Sequence, residues 1–168
     1  SVREITVADM DGDGDLDIVS ASNGDNTIAW YENDGAVNPS FSKVVVATSA
    51  DGAEGVYVAD MDGDGDLDIV SASMNDDTIA WYENDGAADP SFTAANIVTN
   101  ADSAYDVFVA DIDSDGDMDI VSASYLDDTI AWYENNGAAD PSFTKAVIDT
   151  NADGAHAVYV AEMDGDGD

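Results

Sequence analysis

The sequence contains no cysteine, which excludes both a disulfide framework and a thiolate zinc site. It is nearly devoid of positive charge. Arg3, Lys43 and Lys145 face 38 Asp plus Glu, for a formal charge of −35 at pH 7. A surface of that sign repels phosphate backbones and anionic lipid, so nucleic acid is not an expected partner. Membrane insertion is not expected either, because no apolar run approaches the roughly 18 residues of a spanning helix. No basic, hydrophobic leader precedes Ser1, as expected of a processed chain or an excised segment. Asn38-Pro39-Ser40 has proline in the forbidden middle position, so no glycosylation triplet is present.

Catalytic signatures are also scarce. His156 is the single histidine, and the equivalent positions elsewhere hold Arg3, Glu54 and Tyr105. Four unrelated residues at one position suggest a solvated loop. Ser20 and Ser22 have no Gly-x-Ser-x-Gly elbow around them. No enzyme activity is expected.

What the sequence does have is a repeat. Asp9, Asp60, Asp111 and Glu162 recur every 51 residues, as do Trp30, Trp81 and Trp132, with no insertion or deletion. One supersecondary unit is therefore copied three times, over residues 1–51, 52–102 and 103–153, and a fourth opens at 154–168. Within the second unit, Val56 to Ala59, Ile69 to Ser73, Thr78 to Glu83 and a weaker run from Phe92 to Val98 have strand character. Asn84-Asp85-Gly86 predicts a tight hairpin turn after the third of these. No helical period occurs, so the expected fold is all-β, built of four-stranded antiparallel propeller blades. Alternation sets Ile79 and Trp81 on one face, Ala80 and Tyr82 on the other. Apolar bulk on both faces suits a blade stacked between two others. A competing reading makes the tryptophans platforms for a sugar.

The acids are not scattered. Asp9, Asp11, Asp13, Asp15 and Asp17 occupy positions one, three, five, seven and nine of a loop with Gly14 at position six. Asp60, Asp62, Asp64, Asp66 and Asp68 repeat it, as do Asp111, Asp113, Asp115, Asp117 and Asp119 with Ser114 at position four. Glu162, Asp164, Asp166 and Asp168 begin a fourth loop, expected to be weaker or incomplete. Like charges about 4 Å apart repel by about 1 kcal/mol even in water, so each loop should splay without a cation. Hard oxygens at alternate positions around a glycine turn suit Ca2+, with side chains from positions one, three, five and nine and the carbonyl of position seven. Magnesium, which keeps its waters and demands a rigid octahedron, fits less well. The EF-hand pattern fails at position twelve, which is Ser20, Ser71 or Ser122 in place of glutamate, and on strand-like flanks.

A strand, this loop and a second strand, as in Val58-Ala59-Asp60-Met61-Asp62-Gly63-Asp64-Gly65-Asp66-Leu67-Asp68-Ile69-Val70, resemble the FG-GAP/VCBS repeats of integrin-α-like propellers. The resemblance covers the whole chain and implies calcium between the first two strands of each blade. It also implies a role in adhesion, in sugar or protein binding, or beside a secreted enzyme. Three blades and a fragment are not expected to close a ring, so the segment should join further blades or pair head to tail with other copies. The expected function is an extracellular, calcium-binding structural or adhesive module, with a protein or polysaccharide as further partner. A carbohydrate-binding propeller and an accessory domain of a secreted enzyme are the alternatives.

Overall fold

The computed structural model describes residues 1–161 and 163. Among these residues the chain is all-β, in three four-stranded antiparallel sheets that follow the three repeats. The first blade comprises β1 (Val2–Ala8), β2 (Asp17–Ser22), β3 (Thr27–Asn33) and β4 (Phe41–Ala47). The second comprises β5 (Ala53–Ala59), β6 (Asp68–Ser73), β7 (Thr78–Asn84) and β8 (Phe92–Val98), and the third β9 (Ala104–Ala110), β10 (Asp119–Ser124), β11 (Thr129–Asn135) and β12 (Phe143–Asp149). Each sheet is a simple meander. The blades approach one another most closely at their first strands, β1 beside β5 and β5 beside β9, which is how propeller blades converge on an axis. No closed sheet forms among the described residues.

The two-faced pattern of the third strand becomes two cores. Ile79 and Trp81 pack, with Met61, Val70 and Ala72, against Ala104, Val107, Val109 and Tyr133 of the third blade. Ala80 and Tyr82 pack, with Val56 and Ile69, against Met10, Val19, Ile28 and Trp30 of the first. The interface between the first two blades includes an edge-to-face contact in which Trp30 meets Phe92 at 6.4 Å between ring centroids. Trp30 and Trp81 are buried, so neither is a platform for a sugar. Burying each large aromatic contributes about 2–3 kcal/mol, and the blades are held together mainly in this way.

Two expectations are corrected. Asn84-Asp85-Gly86 does not make a tight hairpin turn, because β7 ends at Asn84 and β8 begins at Phe92. Instead, Asp85 closes a longer loop on itself. Its carboxylate accepts the Ala87 and Ser91 N–H groups and the Ser91 hydroxyl, while its own N–H donates to the Ser91 carbonyl. A side chain able to serve several donors at once makes the longer turn cheaper than a two-residue one. Residues 158–161, register copies of Ile5 to Ala8 and expected as such to repeat the inner strand, carry no strand. Val158 N–H donates to Asp106 Oδ2 at 2.9 Å, as Val56 N–H donates to Glu4 one blade earlier.

Candidate metal centre

The acidic loops join the first and second strands of each blade, at one rim of the array. In each, the first aspartate organises the turn through its carboxylate. Asp9 accepts the N–H groups of Asp13 and Gly14, Asp60 those of Gly63 and Gly65, and Asp111 those of Asp115 and Gly116. The positive φ needed after position three falls to Gly12 (72°), Gly63 (76°) and Ser114 (63°). Only glycine adopts that region without strain, so the third loop carries a cost the others lack.

Three groups of carboxylate oxygens within 4.8 Å of one another result, each able to hold a metal ion. They are Asp9, Asp11 and Asp13; Asp60, Asp62 and Asp68; and Asp111, Asp113 and Asp115. The position-seven residues Asp15, Asp66 and Asp117 join none of these groups. Their carboxylates lie against Gly35, Gly86 and Gly137, where any Cβ would collide with them. Asp64 stands outside the second group, its Oδ1 accepting the Asp66 N–H at 2.9 Å. Asp17 and Asp119 stand outside the first and third groups. Glu162, Asp164, Asp166 and Asp168 lie outside the described residues.

The position-nine aspartates are the buried members of the loops. Asp17, Asp68 and Asp119 are each about 1% exposed. Asp68 accepts the N–H groups of Asn84 at 2.8 Å and Met61 at 3.1 Å, yet burial still pushes its pKa up to about 6. The Trp81 indole helps its charged form without reaching full hydrogen-bond geometry. Asp11, Asp62 and Asp113 are also held above the ordinary carboxylate range, first by desolvation and then by neighbouring loop carboxylates. No basic side chain relieves this. The one ion pair among the described residues, Arg3 Nε to Glu54 at 3.3 Å, involves the starts of the first strands, at the opposite rim. Lys43 and Lys145 sit over Tyr31 and Tyr133. Among the described residues, no basic side chain of the chain compensates these carboxylates.

Sequence reasoning missed the asparagine that ends each third strand. The Asn84 side-chain N–H groups donate to the Leu67 carbonyl of its own loop and to the Met10 carbonyl of the preceding one, both at 3.0 Å. Asn135 repeats this with Met118 and Met61. Recurrence of Asn33, Asn84 and Asn135 at 51-residue spacing was the available signal, hidden because asparagine before Asp-Gly looks like turn chemistry. At the opposite rim, Arg3, Glu54, Tyr105 and His156 line a hollow of about 300 Å3 with Glu4 and Asp106. His156 is exposed and stacks on Tyr105 with ring centroids 3.7 Å apart, but its counterparts Arg3, Glu54 and Tyr105 lie in first strands and Glu54 is buried, so the position is not the solvated loop expected.

A family model described as an FG-GAP-like repeat matches residues 9–71, 60–122 and 113–168. No curated protein matches the chain.

Proposed function

Because the chain belongs to the FG-GAP-like repeat family, we propose that it is a calcium-binding, extracellular structural or adhesive β-propeller module. The observation that carries this reading is the thrice-repeated cluster of aspartate oxygens, gathered beside a buried carboxylate that no protein cation neutralises. The donor set is all hard oxygen and flexible in position, with position seven free to offer its carbonyl. Calcium takes six to eight such ligands and tolerates irregular geometry. Weak sites of roughly 0.1–1 mM fit the calcium levels outside cells.

The role is one of scaffold and contact, with calcium stiffening the rim of each blade. The outer face of the first blade supports partners of the same kind. There Ile5 and Val7 are 60% and 57% exposed, whereas Val56, the copy of Ile5, is 2% exposed beneath its neighbour. Val2, Ile5, Ile18, Tyr31 and Phe41 enclose an apolar hollow of about 340 Å3 floored by Ser20. In the second blade the equivalent surface is covered by the tryptophan-bearing face of the first, so a further blade or a second copy is the fitting occupant.

Calorimetric titration with calcium tests the metal reading, with three ions bound per chain as the expected result. No heat at several millimolar calcium would remove it. Light scattering in calcium tests the contact surface, where a monodisperse 17.4 kDa monomer at all concentrations would argue against pairing of copies.

A further inference from the structure

The three loops are wired in series. Met10, between the ligand positions Asp9 and Asp11, donates its N–H to Asp17 and offers its carbonyl to Asn84 of the next blade. Asn84 in turn holds Asp68 through its backbone N–H. The other oxygen of Asp68 accepts the Met61 N–H, and the Met61 carbonyl accepts from Asn135 at 2.8 Å. Asn135 holds Asp119 at 2.8 Å, and Asp119 accepts the Ile112 N–H at 3.2 Å. Asn84, Asn135, Asp68 and Asp119 are all at most 2% exposed. The bonds from Met10 to Asp119 through Asn84, Asp68, Met61 and Asn135 are buried, so each restricts the next.

From this geometry we propose that Asn84 and Asn135 are positioning residues that couple metal binding between adjacent loops. A cation gripped by Asp9 and Asp11 fixes the peptide of Met10 between them. A fixed Met10 carbonyl holds the Asn84 side chain, and with it the backbone N–H that aims Asp68. The second loop then meets its own cation with its most buried ligand already oriented, and the third follows through Met61 and Asn135. Occupancy of one loop raises the affinity of the next, and by linkage the reverse holds equally. Gly86 and Gly137 complete the clamp by donating to the Oδ1 atoms of Asn84 and Asn135, which leaves each amide a single orientation.

This coupling rests on the metal-binding reading, and one titration separates their failures. The amide resonances of Gly14, Gly65 and Gly116 report each loop individually, because each of these N–H groups donates to the first aspartate of its loop. The full chain is titrated with calcium ion alone. Disabling the first loop by Asp11→Asn with Asp13→Asn should raise the calcium midpoint at Gly65 by about fivefold or more. In an Asn84→Ala background the same lesion should leave that midpoint where Asn84→Ala alone puts it. A purely structural asparagine would lower affinity but leave the effect of the lesion intact. The parallel experiment disables the second loop by Asp62→Asn and reads Gly116 with and without Asn135→Ala, so the test survives if one variant fails to fold. A Gly65 or Gly116 midpoint indifferent to its neighbour, or a lesion effect that persists without the asparagine, overturns the coupling alone. Resonances that never move in the native chain overturn the metal reading along with it.

Discussion

Buried, uncompensated Asp68 makes the response to pH depend on whether metal is present. Its folded pKa of about 6 stands above the unfolded value of about 3.9, so folding binds a proton more tightly. The stability contributed is full below about pH 3.9 and lost as pH rises through about 6. Between pH 7 and pH 5 the metal-free fold should gain about 1.3 kcal/mol from this one carboxyl. For a chain of this size that is a rise of about 3–5 °C in melting temperature. Reduced net charge also favours the fold at pH 5, so the melts belong in chelator at 1 M salt, where long-range repulsion is screened but desolvation is not. Calcium reverses the sign. At 10 mM, sites of roughly 0.1–1 mM each stabilise by about 1.4–2.7 kcal/mol, and protons then compete for the ligand carboxylates, so stability falls as pH drops. Melting curves across pH 5 to 7, with and without calcium, should therefore slope in opposite directions. A flat or falling metal-free curve, or an undiminished slope in Asp68→Asn, would refute the reasoning.

Other outcomes follow from individual residues. Asp64→Ala should reduce the calorimetric stoichiometry from three calcium ions to two, with the first and third loops still binding but at raised calcium midpoints. Ser114→Gly relieves a positive φ of 63° and should stabilise the metal-free chain by about 0.5–1 kcal/mol, seen as a higher denaturant midpoint at unchanged slope. Arg3→Ala leaves buried Glu54 with Asn23 as its remaining side-chain partner, at 2.6 Å; because Arg3 is itself 44% exposed, a loss of only about 1 kcal/mol is expected in the same measurement.

Local chemistry was legible in the sequence, and chemistry between blades was not. The 51-residue period, the strand runs and the two apolar faces around Trp81 are properties of neighbouring residues, so pattern sufficed. The loop aspartates were legible for the same reason, since Asp60, Asp62 and Asp68 lie within one turn. Asn84 was not, because its decisive partner, Met10, is 74 residues away and becomes adjacent only when two blades stack. The length of the loop after Asn84 was misjudged because Asp-Gly favours a two-residue turn locally. The Asp85 carboxylate overrides that preference by bonding Ser91, six residues on.

Stacking also explains why near-identical repeats diverge where they do. Residues at one register position become neighbours around the axis, so an ionisable residue repeated unchanged would set like charge against like charge. On the acidic rim a bound cation, as proposed, would resolve that conflict. On the opposite rim, where Glu54 is 5% exposed, four glutamates in a row would each bury a charge beside another, at a cost of several kcal/mol per ion. The chain instead places Arg3 against Glu54 at 3.3 Å and Tyr105 against His156 at 3.7 Å. Within each pair, the register neighbour complements the one before it. What looks in the sequence like four unrelated residues is two adjacent pairs, and their difference is a requirement of the symmetry that the rest of the repeat obeys.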